Sequence, residues 1–252
     1  MKKGTKVAIS GFHDGNAGQV AEWLERVTGY VIDCFVVNQD SPLKIDPALE
    51  NLKRVSQRME YPGLESFKGK PLIWSSKWEE IVRSRGVRHI LPMDSCNQDR
   101  WITLQKARAG GFELVSAIHP TATLLDQCVI EPGVWINANV VIGYKAEIRA
   151  GAMINTGSIL EHHNIVESCA QVDPGVVTGG NVTLRARSHV HLGAHIVNRI
   201  EIGEDAVVGA GSLVRHSVPP RTVVVGVPSR YLKKYKRNRF INALKLYKSK
   251  NC

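Results

Sequence analysis

Residues 130–154 read Ile130-Glu-Pro-Gly-Val-Trp-Ile136-Asn-Ala-Asn-Val-Val-Ile142-Gly-Tyr-Lys-Ala-Glu-Ile148-Arg-Ala-Gly-Ala-Met-Ile154, with isoleucine at every sixth place. The register runs on in both directions. Steps of six from Ile118 reach Leu124, Ile130, Ile136, Ile142, Ile148, Ile154, Leu160, Val166, Val172, Thr178, Leu184, Val190, Ile196, Ile202, Val208 and Val214. Sixteen of these seventeen positions are Ile, Leu or Val, and the exception, Thr178, is also β-branched. A helix repeats its apolar face every 3.6 residues and a strand every two, so neither explains the register. Four residues after each aliphatic, the side chain is usually small: Ala122, Cys128, Val134, Val140, Ala146, Ala152, Ser158, Ala170, Val176, Ser188, Ala194, Ala206 and Ser212, with Asn164 and Ile200 less typical.

This pattern predicts a triangular coil. Each hexad makes one short strand and one corner, and three hexads complete a turn. The aliphatic fills the interior, and the second inward place must be small because the prism is narrow. Stacked coils pair their backbones at about 4.8 Å, so nearly six coils build a prism on the order of 25–30 Å long. The 22 glycines and the aromatic share of only 6% suit so tight a core.

The whole chain has 252 residues, 43% hydrophobic and 22% charged, the balance of a soluble globular protein with one large domain or two modest ones. Its net charge of +10 is uneven: residues 230–252 hold nine Lys or Arg and no acid, and removing those nine leaves +1 for residues 1–229. Arguments about anionic partners therefore rest on the tail alone, and nucleic acid is not expected. The cysteines (34, 96, 128, 169 and 252) are odd in number and form no CxxC pair, against a disulfide framework or zinc ribbon and for a reducing compartment. Val7 to Ile9 is too short for a signal-peptide core, and no run nears the ~18 apolar residues of a membrane span, so a cytoplasmic location is expected.

Before the hexads, strand and helix patterns alternate. Residues 6–11 read Lys-Val-Ala-Ile-Ser-Gly, a buried strand, followed by a turn holding Gly11, Gly15 and Gly18 and then an amphipathic helix. Further strands are predicted at 31–37, 89–93 and 112–116, and helices at 78–85 and 99–109. Such alternation implies a parallel sheet with ligands at strand C-termini. The spacing G-x3-G-x2-G is not the dinucleotide fingerprint. It reads equally as a phosphate-facing helix start or as an ordinary strand-to-helix turn. Residues 41–75 form a long, polar, Pro-containing connection. The expected division is 1–116, an α/β domain; 117–229, the prism; and 230–252, a basic amphipathic tail with apolar residues at 232, 235, 240, 241, 244 and 247. That tail suits either a helix capping the prism or a peripheral contact with anionic lipid.

The hexad pattern resembles the hexapeptide-repeat acyltransferase superfamily, whose coils are left-handed. The order of parts is more specific: an α/β domain, then Ile118-His-Pro-Thr-Ala122, then Ile154-Asn-Thr-Gly-Ser-Ile-Leu-Glu-His-His163 inside the hexads, and a closing Gly226-Val-Pro-Ser229. Over about residues 6–230 this resembles the bacterial nucleotide-sugar N-acetyltransferases of the sialic-acid O-acetyltransferase-like family. The resemblance implies a Rossmann-like N-terminal domain, a left-handed β-helix, and acetyl-CoA as co-substrate. It also implies a homotrimer with active sites between subunits, acting on the amine of a nucleotide-linked amino-dideoxy sugar for surface-glycan assembly. The general base falls on His162 and the oxyanion-binding amide on Gly180. Counting three hexads onward sets Gly180 one coil from His162 on the same face, with Tyr144 expected to stack on its other side. Asn155 and Gln171 are candidate sugar contacts, Gln171 standing where a second His is frequent. Gly11, Gly15, Asn16 and Asp40 are candidate nucleotide contacts, and Gly193, Ala210 and Gly211 places where pantetheine can approach backbone. Relatives carry a carboxylate directly after the base; here it is His163, which leaves Glu161 as the nearby acid.

Three other readings compete. A sugar O-acetyltransferase needs the same base. A non-catalytic sugar-binding protein fits the same scaffold. A γ-class carbonic anhydrase shares the β-helix and binds zinc through three His, two of them five apart, whereas His191 and His195 are four apart. No metal is therefore expected.

Overall fold

A computed structural model describes residues 4–40 and 65–232. From Ala117 to Val214 every hexad forms a two-residue strand followed by a corner. Strands three hexads apart pair in parallel, so that Trp135–Ile136 lies between Ala117–Ile118 and Met153–Ile154. The strands stack into three sheets, the faces of a prism. The first face carries residues 117–118, 135–136, 153–154, 171–172, 189–190, 207–208 and 223–225. The second carries 123–124 through 213–214, and the third 129–130 through 201–202.

Strand alternation turns the second residue of each pair inward. Ile136, Ile142, Ile148, Ile154, Leu160, Val166 and Val172 are accordingly wholly buried, together with Ala146, Ala152, Ala170 and Ala194 from the small places. Tight corners demand a left-handed backbone, and residues as different as Asn139, Lys145, His163, Asn181, Arg187 and Asp205 adopt it, with φ between 55° and 58°. This is an uncommon conformation for a non-glycine residue, held here by the backbone ladder on either side.

Two polar departures from the hexad rule find each other. Asn164 Nδ2 donates to Thr178 Oγ1, while Asn164 Oδ1 accepts from the Val182 N–H at 2.6 Å. Thr178 Oγ1 also accepts from the Glu161 N–H at 3.3 Å. Both side chains are buried, and each is satisfied, as buried polar groups must be.

The N-terminal unit is a six-stranded sheet. Its strands are β1 (Lys6–Ser10), β2 (Val31–Val37), β3 (Ser66–Phe67), β4 (Lys70–Trp74), β5 (His89–Leu91) and β6 (Glu113–Leu114), in the order β3-β4-β2-β1-β5-β6. All pair in parallel except β3 with β4. The β3–β4 hairpin lies within the stretch 41–75 that gave no sequence signal, and residues 41–64 of it lie outside the described residues. Helices are α1 (Gln19–Thr28), α2 (Trp78–Ser84) and α3 (Asn97–Ala109). The expected strand at 112–116 is shorter than the sequence suggests, because the chain leaves β6 and enters the prism at Ala117.

The unit docks on the first face. Trp135 and Met153 point outward from the prism and join a buried cluster with Val7, Ile9, Val20, Trp23, Leu24 and Met93. Arg100, wholly buried, completes the joint. Its Nε donates to Gly151 O at 2.7 Å, Nη1 to Asp94 O at 2.6 Å, and Nη2 to Cys169 O and Asn97 Oδ1 at 3.0 Å each. One guanidinium thus ties two successive coils to the strand-end segment of the N-terminal sheet.

At the other end, Arg230–Tyr231 pairs antiparallel with Val224–Val225, so the first residues of the expected tail belong to the prism. Residues 233–252, where the basic helix was expected, lie outside the described residues. Cys34, Cys96, Cys128 and Cys169 are free thiols. Among the described residues no helix is long and apolar enough to cross a membrane.

Arg100→Ala leaves three buried carbonyls without their donor and is expected to destabilise the chain by about 3 kcal/mol in urea unfolding. Ala170→Leu, which overfills a small inward place, is expected to cost about 1–3 kcal/mol in the same measurement.

Candidate active site

The corner between the second and third faces stacks Tyr144, His162 and Gly180, each one coil from the next. Gly180 is required by a close approach: a Cβ built there would overlap the His162 imidazole. The Nδ1–Cε1–Nε2 side of the ring therefore lies against the next coil, while the residue as a whole stays exposed. His162 Nδ1 and His163 Nδ1 are 3.1 Å apart, so one nitrogen carries the proton and the other accepts it. Glu161 Oε2 accepts from the His162 backbone N–H at 3.3 Å. What orients His162 is thus a second imidazole. Tyr144 departs from expectation. It meets His163 rather than His162, edge-on with ring centroids 5.8 Å apart, and its carbonyl accepts from the His163 N–H at 2.8 Å.

The corner between the first and second faces carries the other prism candidates. Asn155 is almost wholly buried there, and Gly193, Ala210 and Gly211 lie higher on the same edge. Gly193 and Gly211 have φ of 65°, and a Cβ at either would meet open space. Gln171 sits on the first face, where its Nε2 donates to Asp173 Oδ1 at 2.9 Å. Asp173 Oδ2 lies 2.9 Å from His189 Nε2 and 3.0 Å from His191 Nδ1. Burial alone would raise the Asp173 pKa, but hydrogen bonds from His189, His191 and Gln171 hold it well below the ordinary carboxylate range. Burial pushes the His189 imidazole the other way, below its usual value, against the pull of Asp173. Within one chain, then, the His162 corner and the Asn155 corner are opposite edges of the second face and do not meet.

The strand ends of the N-terminal sheet hold the remaining candidates. Gly11, with φ of 85°, is needed because a Cβ there would lie 2.9 Å from Met93 O. Residues Asp14–Gly18 form a π-helical turn leading into α1. The Gly15 N–H donates to His13 Nδ1 at 3.1 Å, and Asn16 Nδ2 donates to Ser95 Oγ at 3.0 Å. Asp40 accepts from both the N–H and the hydroxyl of Ser76 at 2.7 Å, which occupies one of its oxygens.

Sequence reasoning missed three residues of this rim. Ser10 Oγ donates to Asp94 Oδ2 at 2.5 Å and accepts from the Met93 N–H at 2.8 Å. Burial raises the Asp94 carboxyl above its usual value, although the hydrogen bond from Ser10 opposes this. Burial likewise lowers the His13 imidazole, against Asp14. The available signal was position: Asp94 and Ser95 follow the C-terminal end of β5, where open α/β sheets gather ligand contacts.

No protein-family model matches the chain. Among curated proteins, the serine acetyltransferase of Buchnera aphidicola subsp. Schizaphis graminum is 27% identical over 145 residues, 51% of this chain and 56% of that protein. The Escherichia coli K12 serine acetyltransferase is 27% identical over 140 residues, 49% and 51% of the two chains. The chain thus spans about half the length of the curated relatives it matches. Among solved structures, PerB from Caulobacter crescentus, in complex with CoA and GDP-perosamine, superposes with a TM-score of 0.74 at 25% identity, covering 90% of this chain and 96% of that one. The acetyltransferase domain of PglB from Neisseria gonorrhoeae, in complex with acetyl coenzyme A, gives 0.73 at 23%, covering 91% and 100%. This chain shares the fold of these acetyltransferase structures. In this hexapeptide-repeat protein the likeness to solved structures runs through both the prism and the N-terminal unit, whereas the likeness to the serine acetyltransferases covers about half of either chain.

Gly180→Ala is expected to cost stability about 1 kcal/mol or less, because its backbone is ordinary and the nearest atoms that an added Cβ meets belong to the exposed His162 side chain, which can swing aside. It should nevertheless displace the His162 ring, read by imidazole nitrogen NMR as loss of the Nδ1–Nδ1 hydrogen bond.

Proposed function

We propose that the chain transfers an acetyl group from acetyl-CoA to the amine of a nucleotide-linked amino-dideoxy sugar in the cytoplasm. The observation that carries this reading is the His162 imidazole seated against Gly180 at an exposed corner. The amine must be neutral to attack a thioester, and imidazole has the proton affinity to take its proton near neutral pH. For His162 Nε2 to act as base its proton must sit on Nδ1, and His163 Nδ1 is placed to accept it. The attack converts the thioester carbonyl to a tetrahedral oxyanion, for which the Gly180 N–H is the candidate donor. Collapse expels the CoA thiolate, which takes the proton from the imidazolium.

The N-terminal sheet supports a nucleotide site of Rossmann type. Its parallel strands, counted along the chain, lie in the order 3-2-1-4-5, which reverses direction beside β1. Ligands bind at such switch points, outside the strand C-termini. Gly11, Gly15 and Asn16 stand there, and Asp40 follows the end of β2. Asn155 and Gln171 would meet the sugar, and the open edge at Gly193, Ala210 and Gly211 would admit pantetheine.

A homotrimer completes the site. The second face presents Val141, Ile159 and Val177 outward, and Leu213 beyond the exposed His195, a largely apolar strip between the two functional corners. Packing three prisms by such strips would bring the His162 corner of one chain to the Asn155 corner of the next. A hydroxyl acceptor would use the same base, which makes sugar O-acetylation the second reading.

CoA release is expected when acetyl-CoA is mixed with a UDP-, GDP- or dTDP-linked amino sugar, and His162→Ala should lower kcat by about 10²- to 10⁴-fold. Absence of release with every amino sugar and with sialic acid overturns the enzyme reading; a fully active His162→Ala overturns the base. His163→Asp, which places a carboxylate beside the base in a left-handed position that Asp tolerates, should move the acidic limb of kcat/KM to higher pH.

A further inference from the structure

Apart from the transfer corner, four polar side chains form a square on the first face of the prism. Alternate strand residues project to the same side, so His189 and His191 both point outward around the buried Val190. The coil step sets Gln171 beneath His189, and Asp173 beneath His191. The two imidazole centroids are 3.9 Å apart with a tilt of 36°. His189 Nε2, His191 Nδ1 and a carboxylate oxygen of Asp173 lie within 4.8 Å of one another, a grouping of His, Cys and acidic ligands found once among the described residues.

Gln171 supplies a second, independent observation. Its Nε2 donates to Asp173 Oδ1 at 2.9 Å. A carboxylate only accepts, so this bond fixes which end of the amide faces Asp173. The amide oxygen is left buried with no hydrogen-bond partner, in a side chain only 8% exposed. A buried acceptor in that state is costly unless a donor arrives.

We propose that Asp173, His189 and His191 hold one divalent transition-metal ion of the zinc class within a single chain, with Gln171 Oε1 accepting a hydrogen bond from a water in the fourth position. The donor set decides the class of ion. Two imidazole nitrogens and one carboxylate oxygen suit Zn²⁺ or Co²⁺, whereas Ca²⁺ and Mg²⁺ ask for six or more oxygens. Bonds of 2.0–2.2 Å in a tetrahedron separate the donors by roughly 3.3 Å. The spacings from Asp173 to the two rings, 2.9 and 3.0 Å, fall a few tenths short of that, so small ring rotations admit the ion. Each ring presents a lone pair by moving its proton to the other nitrogen, His189 to Nδ1 and His191 to Nε2, with no net proton change. The pairing of His191 with His195, weighed from spacing alone, plays no part: His195 lies on the second face with its Nδ1 3.1 Å from Gly193 O. The inference does not rest on the acetyl-transfer reading.

The test uses the full chain without a polyhistidine tag, stripped with a chelator and titrated with Co²⁺ and then Zn²⁺. One equivalent of Co²⁺ is expected to bind with the intense visible absorption of tetrahedral coordination, to be displaced by Zn²⁺, and to raise Tm. His191→Ala and Asp173→Asn should each weaken binding by roughly a hundredfold or more, beyond the loss seen for outer partners of metal sites. His216→Ala, an exposed histidine elsewhere, should bind as the parent does. Absence of a tetrahedral Co²⁺ spectrum in the parent chain overturns the proposal whether or not the variants fold. So does a folded His191→Ala, verified by circular dichroism, that binds Co²⁺ unchanged.

Discussion

The backbone ladder between coils is the constraint on which this molecule depends. Because strands three hexads apart must pair, every side chain on the prism inherits a fixed neighbour above and below. That rule lays His162 against Gly180 and stacks His189 on Gln171 and His191 on Asp173. A side chain here is positioned by counting, with little left to loop geometry. It also explains the composition. The interior is too narrow for more than one aliphatic and one small residue per side, so chemistry is confined to the outward places and the corners.

That regularity is why the prism was legible in the sequence and why much of the site was not. Ile136, Ile142 and Ile148 sit where a six-residue period demands, and the two polar exceptions, Asn164 and Thr178, prove to be each other's partners. The period says which residues share a column. It does not say which rotamer each adopts, and so Tyr144, correctly placed one coil below His162, turned out to pack on His163. The N-terminal sheet was readable in outline, through β1, β2, β5 and their helices. The strand β4 was hidden because Lys70-Pro-Leu-Ile-Trp74 is short, opens with a lysine and a proline, and follows a polar stretch. Asp94 and Arg100 escaped notice for another reason. Their roles come from burial at a joint between two units, and no local pattern announces a joint.

The joint matters as much as the prism. Asp94 is tied to β1 through Ser10, and Arg100 ties the Asp94 backbone to the corners at Gly151 and Cys169. The rim where Gly11 and Asn16 stand is therefore held against the first face by buried, charge-assisted hydrogen bonds, whose geometry is more specific than apolar contact. Apolar burial of Trp135 and Met153 supplies the adhesion between the units, while Arg100 supplies the alignment.

The pairing of Asn164 with Thr178 has a consequence for how the chain finds its fold. A solenoid whose coils carry interchangeable aliphatics is degenerate: slipping the chain by a whole turn would leave Ile, Leu or Val at nearly every inward place. Hydrophobic energy alone scarcely distinguishes the right stacking from such an impostor. A slipped chain would instead strand the Asn164 amide and the Thr178 hydroxyl against aliphatic neighbours, a penalty of about 1–3 kcal/mol for each group left without a partner. The pair thus works as an index mark on an otherwise uniform thread, set directly under the corner where alignment of successive turns has to be correct.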